Sequence, residues 1–418
     1  MREMKDSGVP WIGNIPVDWQ LVSVKRLFSI GRGRVIAQTE LEETGYPVYS
    51  SQTKDNGCLG YIDTYDYDYP QLTWTTDGAN AGAIFLRTGY YNCTNVCGTL
   101  NPADVLVDLR YQKYALEHIA YNERRIDTNG YKIMNNEMAI IKTLLPPLSV
   151  QHQIADYLDS KCTQIDTIIA KEQSVIEKLQ EYKQAVITEA VTKGLDPKVA
   201  MIESDISWIK IIPVTWKVSK LKYVAEFSPK CDFTDIEPDT EVTYTPMEYI
   251  KKGNYIPNSE AIGKLSASLT KYEEGDIVIA KVTPCFENGN IAIMNNLKSG
   301  KGLGSSELFV FRVPEAIRKF LFYWMQNKLF IEQCVATMTG TGGLKRVSSY
   351  YISNSEILLP PSEMIDDICN YLDEKCELIE QTIRQKELVI NQLTEYKKSL
   401  IYEVVTGKKG GVSCLNLT

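Results

Sequence analysis

The chain has 418 residues, of which 44% are hydrophobic and 23% charged, and a formal net charge of −8. This composition excludes an intrinsically disordered chain and suits two domains of roughly 200 residues, each with its own core. The acidic balance excludes a protein that coats nucleic acid through bulk basicity, although local basic patches can still read it.

In chain order, the N-terminal Met1-Arg2-Glu3-Met4-Lys5-Asp6 runs into Pro10 with no apolar stretch, and no later run approaches a membrane span. No signal peptide and no membrane contact are expected, and the compartment is expected to be the cytoplasm. An entry segment follows with Trp11, Pro16, Trp19 and Lys25, which returns 197 residues later as Trp208, Pro213, Trp216 and Lys222. Residues 20–145 carry short β-type runs at 46–49 and 83–86, broken by turn signals at Asp55-Asn56-Gly57 and Asp77-Gly78, the texture of a mixed α+β domain.

Leu145-Pro146-Pro147 then opens a long amphipathic stretch. Its apolar positions Ile154, Leu158, Cys162, Ile165, Ile169, Ile176, Leu179, Ile187 and Val191 step mostly by three or four, which predicts one stripe on one helix. Pro147 and Ser149 suit its start, and Gly194 with Pro197 its end. The second half carries strand-like runs at 276–280 and 308–311 and a predicted helix over 315–334 that ends in Thr339-Gly340-Thr341-Gly342-Gly343. Leu359-Pro360-Pro361 repeats the first Leu-Pro-Pro at an offset of 214, and Tyr157-Leu158-Asp159 and Glu181-Tyr182-Lys183 return as Tyr371-Leu372-Asp373 and Glu395-Tyr396-Lys397. The second stripe is Ile368, Leu372, Cys376, Ile379, Ile383, Ile390, Leu393, Leu400 and Val404, ending near Gly407.

Forty helical residues reach roughly 60 Å, longer than an ordinary domain helix. Two such helices with narrow seams are expected to pack against each other, antiparallel because a folded domain separates them; the alternative is that each packs only on its own domain. The expected seam is Ile154, Leu158, Ile165 and Leu179 against Ile368, Leu372, Ile379 and Leu393. The fold class is therefore α+β with two pseudo-repeats, each a mixed domain followed by a long helix. The expected boundaries are 1–146 and 196–360 for the domains, 147–195 and 361–408 for the helices, and 409–418 for a tail. Between the repeated ends, the two halves look unrelated.

The ten cysteines are scattered through a large chain without an export signal, so reduced thiols are expected. Cys93 and Cys97 have no second pair nearby, and the only imidazoles are His118 and His152. They read as half-buried strand cysteines, no metal site is expected, and the equivalent places of Cys162 and Cys376 point to packing. Catalytic motifs are equally scarce. The loop at 340–343 lacks phosphate-cradle spacing, and no G-x-G-x-x-G opens a helix after a strand. Asn101-Pro102-Ala103-Asp104 lacks the second proline and the aromatic of an amino-methyltransferase loop, and reads as a turn. Glu273-Glu274-Gly275-Asp276 with Lys281 lacks a separate upstream acid for a nuclease site, and reads as a solvated turn entering a strand. No catalytic residue is assigned.

What the two domains do contain is polar and aromatic side chains on glycine-rich loops, able to follow a groove and hydrogen-bond base edges. In the first, the candidates for DNA contact are Ser51, Gln52, Lys54, Trp74, Thr76, Asn80, Asn95, Arg125 and Lys132, the last two flanking Thr128-Asn129-Gly130. In the second they are Lys281, Thr283, Asn288, Ser306, Thr341, Lys345 and Arg346, with Lys345 and Arg346 as phosphate contacts beside a flexible loop.

The order of variable domain, Leu-Pro-Pro, long helix, second variable domain, Leu-Pro-Pro and second helix resembles the specificity subunit of type I restriction-modification systems across essentially the whole chain. The segments Val9-Pro10-Trp11-Ile12-Gly13-Asn14-Ile15-Pro16, Trp74-Thr75-Thr76-Asp77-Gly78-Ala79-Asn80 and Ala280-Lys281-Val282-Thr283-Pro284-Cys285-Phe286-Glu287-Asn288-Gly289 are similar to that family's; Ser207-Trp208-Ile209-Lys210 departs from its usual glycine turn. The resemblance implies that each domain is a target-recognition domain for one half of an asymmetric, gapped site in double-stranded DNA. The helices would then be a spacer ruler and a docking surface for two methyltransferase subunits. It implies no cofactor in this chain, with S-adenosylmethionine in the methyltransferase and ATP and Mg in a restriction (translocase) subunit. Two heads about one helical turn, roughly 34 Å, apart fit that division. Exchanging residues 20–145 is expected to change one half-site only, and deleting about four residues of the first long helix to shorten the gap. The competing readings are a protein-binding structural adaptor, a subunit of a related methyltransferase–nuclease system, and a nuclease or methyltransferase fused to its own reader.

Overall fold

The computed structural model describes residues 3–10, 12–103, 107–128, 130–234, 236–341 and 343–409. Met1, Arg2, Trp11, Asp104, Asn129, Gly342 and the tail from 410, which carry expectations above, lie outside them. The chain forms two compact units: Met1–Glu172 with Leu388–Thr418, and Gln173–Glu387. The units cut across both long helices, so each holds one recognition-type domain, the beginning of that domain's own long helix and the far end of the other.

In the first unit a four-stranded antiparallel sheet runs in the order Phe28–Arg32, Cys97–Pro102, Gln71–Thr75, Ile84–Arg87. A three-stranded sheet (Asn92–Cys93, Tyr46–Tyr49, Cys58–Ile62) is built from strands interleaved with these in sequence. The helix Leu109–Glu123 starts at Asp108, whose carboxylate accepts from the N–H groups of Arg110 (2.8 Å) and Tyr111 (3.2 Å), a standard cap for otherwise unpaired donors. Lys142–Leu145 pairs antiparallel with Gln20–Ser23, bringing the domain's ends together immediately before Leu-Pro-Pro.

The second unit repeats this plan. Its main sheet runs Glu226–Phe227, Leu308–Arg312, Ile277–Ala280, Ile291–Ile293, and its second sheet Ser259–Ala261, Glu241–Thr245, Lys301–Gly304, Thr270–Glu273. Glu356–Leu359 pairs with Lys217–Lys220 and closes the domain at the second Leu-Pro-Pro. The helix expected over 315–334 is two, Glu315–Trp324 and Lys328–Ala336. The break is chemical: Asn327 caps the second helix by accepting from the Phe330 N–H at 2.9 Å, a signal that apolar periodicity alone overlooks. Asp276 also differs from expectation. It is 1% exposed, not solvated, and accepts two hydrogen bonds from Arg312, each at 2.9 Å.

The long helices are Leu148–Lys193 and Ser362–Val405. Pro147 accepts from the N–H groups of Val150 and Gln151, and Pro361 from that of Met364, so each proline's carbonyl starts the helical ladder. Gly194 and Gly407 end the two helices in the left-handed region, at φ +79° and +70°. Each also sits against a repeated entry tryptophan: a Cβ at Gly194 would stand 3.2 Å from the Trp216 ring, and one at Gly407 3.2 Å from Trp19. That contact accounts for the joint repetition of entry segment and helix end.

Within each unit the helix portions run antiparallel. In the first, Lys397 donates to Asp166 at 2.7 Å; in the second, Lys183 donates to Glu380. Advancing seventeen residues from Asp166 to Lys183 matches retreating seventeen from Lys397 to Glu380, so both units keep one register. The seam packs in two directions at once. Ile154, Leu158, Cys162 and Ile165 meet both Tyr111 and Tyr114 of their own domain and Leu400 and Val404 of the other helix. Ile368, Leu372 and Cys376 likewise share a core with Phe320, Trp324, Ile187 and Val191. The helices therefore pair as expected, and each packs on its own domain as well; the alternative in which each packs only on its own domain does not hold. Ile379 is buried too, whereas Leu179 and Leu393 are only half-buried.

Candidate nucleic-acid interface

In each domain a short hairpin lies ten residues upstream of the closing strand: Arg125–Asp127 with Gly130–Lys132, and Thr339–Thr341 with Leu344–Arg346. The hairpins are separated by the same 214 residues as the two Leu-Pro-Pro segments. The repeat thus extends well into regions whose sequences look unrelated, and Lys132 corresponds to Arg346. Each hairpin docks beside the loop that follows a central sheet strand. Tyr131 and Lys132 pair with Gly78 and Asp77, just after Gln71–Thr75, and Arg346 bridges Val282, just after Ile277–Ala280.

In the first domain this brings Thr76, Asn80, Asn95, Arg125 and Lys132 into one neighbourhood. The backbone N–H of Thr76 donates to the Val96 carbonyl, and the Ile133 N–H donates to the Thr76 carbonyl. Asn80 and Asn95 are exposed there, and Arg32 donates to the Asn95 carbonyl. Thr76 itself is fully buried, and its hydroxyl donates to Asp77 at 2.6 Å, so it shapes the loop from beneath. Trp74 is corrected outright. It is 0% exposed, a core residue whose indole N–H donates to the Ile133 carbonyl at 3.0 Å, and its ring cannot reach DNA without unfolding the sheet.

Ser51, Gln52 and Lys54 occupy a neighbouring loop, tied to Asn95's turn through the hydroxyls of Ser50 and Thr94 at 3.2 Å. Lys54 is exposed, but the Gln52 amide is spent on the Cys58 carbonyl. Asp55 and Asn56 bend this loop through the left-handed region (φ 49° and 54°), a conformation that Asn and Asp tolerate best among side-chain-bearing residues. Arg87 holds it there. Although 1% exposed, Arg87 donates to the Asn56 carbonyl at 2.7 Å and lies 3.6 Å over the Tyr49 ring. Sequence reasoning overlooked Arg87 because a basic residue at a strand end looks like surface. Beside it, Cys93 and Cys97 are fully buried rather than half-buried, and burial pushes the Cys97 thiol up to about 11.

In the second domain Lys281, Thr283, Ser306, Thr341, Lys345 and Arg346 come together. The Thr283 hydroxyl donates to the Gly343 carbonyl at 2.8 Å and accepts from the Lys345 N–H at 3.0 Å, while Lys281 donates to the Ser306 carbonyl at 2.7 Å. Thr341 and Lys345 are exposed on the hairpin. Asn288 does not join them; it lines a cleft with Gln326, Leu329 and Ile331.

Lys132, Arg125, Arg346 and Lys281 are already engaged. Lys132 lies 3.0 Å from Asp77 and 3.4 Å from Asp127, and Arg125 pairs with Glu137 at 2.6 Å. Arg346 grips Glu307 with two bonds of 2.6 and 2.9 Å, and Lys281 stands 3.7 Å away from the same carboxylate. The Arg346 guanidinium holds the Glu307 carboxyl below its usual range. Burial works against ionisation of Asp77, but the Thr76 hydroxyl and the Lys132 ammonium outweigh it and lower its pKa. In the first domain Arg124 is stacked 3.7 Å from the rings of both Tyr121 and Tyr131.

A family model described as the type I restriction modification DNA specificity domain matches residues 16–178 and again 213–388. The chain is 34% identical over 178 residues to the type I restriction enzyme EcoAI specificity subunit of Escherichia coli, a match that covers 41% of this chain and 30% of that one. It is 36% identical over 139 residues to a putative type I specificity subunit N-terminus of Mycoplasma pneumoniae, covering 33% of this chain and 74% of the relative. The chain therefore spans under a third of the length of the E. coli relative. Among solved structures, a chain from a study of complex assembly and conformational transition in the type I R-M system superposes with a TM-score of 0.67 at 13% identity, over 94% of this chain and 99% of that one; this likeness is one of fold.

Proposed function

Because the chain belongs to the type I restriction modification DNA specificity family, we propose that it is the sequence-reading, non-catalytic subunit of a type I restriction-modification complex and recognises a bipartite, gapped site in double-stranded DNA. The observation that carries this reading is the pair of hairpin-and-loop surfaces. They occupy the same place in the two repeats yet present different side chains: Asn80, Asn95, Arg125 and Lys132 in one, and Lys281, Ser306, Thr341, Lys345 and Arg346 in the other. Equivalent frames with unlike tips suit two unlike half-sites.

The methyltransferase subunits of the complex would dock on the long helices. In support, the first unit leaves Ile168, Leu388 and Val389 exposed on its helix portions, and the second leaves Val175 and Leu378 exposed, where a solvated helix face would be polar. S-adenosylmethionine would enter with those subunits, and ATP and Mg with a restriction subunit. Among the described residues no helix is long and apolar enough to cross a membrane, which is compatible with a cytoplasmic assembly.

The test is a methylome. The chain is co-expressed with its methyltransferase in a host free of adenine methylation, and modified bases are mapped. A single asymmetric motif with two specified parts is the expected result. An assembled complex that modifies nothing and binds no duplex would instead favour the adaptor reading, to which the acidic net charge already lends weight.

A further inference from the structure

We propose that Asp77 and Glu307 are built-in counter-ions that hold the hairpin cations Lys132 and Arg346 back from DNA phosphates until the correct half-site is engaged, so that they set specificity by lowering affinity for every other sequence. The inference rests on the DNA-reading function proposed above.

Three observations carry it. First, Lys132 and Arg346 are equivalent positions of the repeat, and both are ion-paired, at 3.0 Å and 2.6 Å. Second, their acids are not equivalent. Asp77 follows a central strand, whereas Glu307 immediately precedes Leu308–Arg312, on the strand facing the one that leads into Lys281. A cation kept at one place and neutralised from two unrelated places suggests that the pairing itself matters, not a shared backbone motif. Third, the pairs are open to solvent: side-chain exposure is 29% for Lys132, 34% for Asp77, 49% for Arg346 and 29% for Glu307. Such pairs exchange readily and contribute little to the fold.

The consequence follows from counter-ion physics. Non-specific affinity for duplex DNA arises almost entirely from cations that meet phosphates. A cation that must first leave a carboxylate gains little by exchanging it for a phosphate, and the carboxylate then repels the DNA. Only where base-edge hydrogen bonds add to the exchange does binding become favourable. Lys345, exposed beside Arg346 and without an ion pair among the described residues, remains available for the first sequence-blind encounter.

The experiment uses the full chain assembled with its methyltransferase subunits and two duplexes, one carrying the motif from the methylome and one of scrambled sequence. Dissociation constants are measured across a salt series for wild type, Glu307→Gln and the double variant Asp77→Asn with Asp127→Asn, because Asp127 also stands 3.4 Å from Lys132. Each variant is expected to bind the scrambled duplex up to about fivefold more tightly, the scale of one exposed ion pair, with a salt dependence steeper by about one ion. Target affinity should change less, so discrimination narrows. The conservative variants Glu307→Asp and Asp77→Glu should restore wild-type discrimination, and thermal unfolding confirms that each variant is folded. Scrambled-duplex affinity that is unchanged or weakened, with or without loss of the target, overturns the inference and leaves the acids as base readers or loop braces. If the wild-type complex does not prefer its own motif, the proposed function fails instead.

Discussion

Tyr323 donates its hydroxyl hydrogen to the carboxylate of Asp373 at 2.7 Å, and Tyr114 makes the same bond to Asp159 at the same distance. Asp159 and Asp373 belong to the repeated Tyr-Leu-Asp of the long helices, while each tyrosine comes from the domain preceding its helix. Four residues before each tyrosine stands a cation on the same carboxylate, Arg110 in one case and Lys319 in the other. Two otherwise dissimilar domain helices thus present one basic–x–x–x–Tyr face, and this face joins each domain to its own long helix.

Removing one hydroxyl should loosen one joint. Tyr323→Phe gives up a bond to a charged acceptor, worth up to about 1.5–3 kcal/mol where no water replaces it. Because Asp373 is 39% exposed and keeps Lys319, the expected loss is nearer about 1 kcal/mol. Hydrogen exchange resolved along the chain should show faster opening within 173–387 and unchanged protection in 1–172; uniform acceleration through both units would refute a local joint.

Much of the scaffold was legible in the sequence because its signals are periodic. The stripes through Ile154 and Ile368 step by three and four, and their helices extend over Leu148–Lys193 and Ser362–Val405. The equivalence of the hairpins was hidden, since Arg125-Ile126-Asp127 and Thr339-Gly340-Thr341 share backbone pairing but no residue type. Backbone hydrogen bonds define a hairpin, and many side chains satisfy them. Trp74 misled for the opposite reason: an aromatic within a glycine- and threonine-rich run looks like a reading tip, but strand alternation turns its ring into the sheet's core. The pairing of Arg346 with Glu307, thirty-nine residues apart, follows from no local pattern.

Trp74 supplies a discriminating mutation. Trp74→Ala should remove about 3–5 kcal/mol of stability, as expected for emptying a buried large-aromatic site, and leave the indole's partner, the Ile133 carbonyl, unsatisfied. Asn80→Ala and Asn95→Ala, both at exposed positions, should leave the unfolding midpoint nearly unchanged and weaken recognition of one half-site. Denaturant unfolding alongside duplex binding separates the two effects. A folded Trp74→Ala protein with altered base preference would restore Trp74 as a reader.

Alkaline stability follows from the buried phenols. Burial, chiefly, pushes Tyr67 up to about 12, and it raises Tyr91, Tyr111, Tyr114, Tyr272 and Tyr323 further. The unfolded chain loses these protons near pH 10, whereas the folded chain keeps them, so above that pH the folded state binds more protons. The contribution is therefore complete below about pH 10 and declines as pH rises beyond it. Ultraviolet titration should show one group of tyrosines ionising reversibly and a second group ionising only together with unfolding. A single smooth titration of all tyrosines with the fold intact would contradict this packing.

The helix register yields the sharpest test of the spacer. Asp166 with Lys397 and Lys183 with Glu380 fix an antiparallel pairing in which one residue forward on the first helix answers one residue back on the second. Deleting residues 168–171 alone removes about one helical turn from one strand of the pair and should break one of these two contacts at a cost in stability. Deleting 168–171 together with the facing 392–395 preserves the pairing, removes about 6 Å from both helices, and should shorten the preferred gap by about two base pairs at 3.4 Å each. Methylome sequencing of the double deletion reads this directly. Because both half-sites are recorded in the same experiment, a conserved pair of half-sites with a shorter gap supports the helices as the ruler. The same half-sites at the original gap would mean that spacing is set elsewhere, in the docked methyltransferase subunits or in bending of the DNA itself.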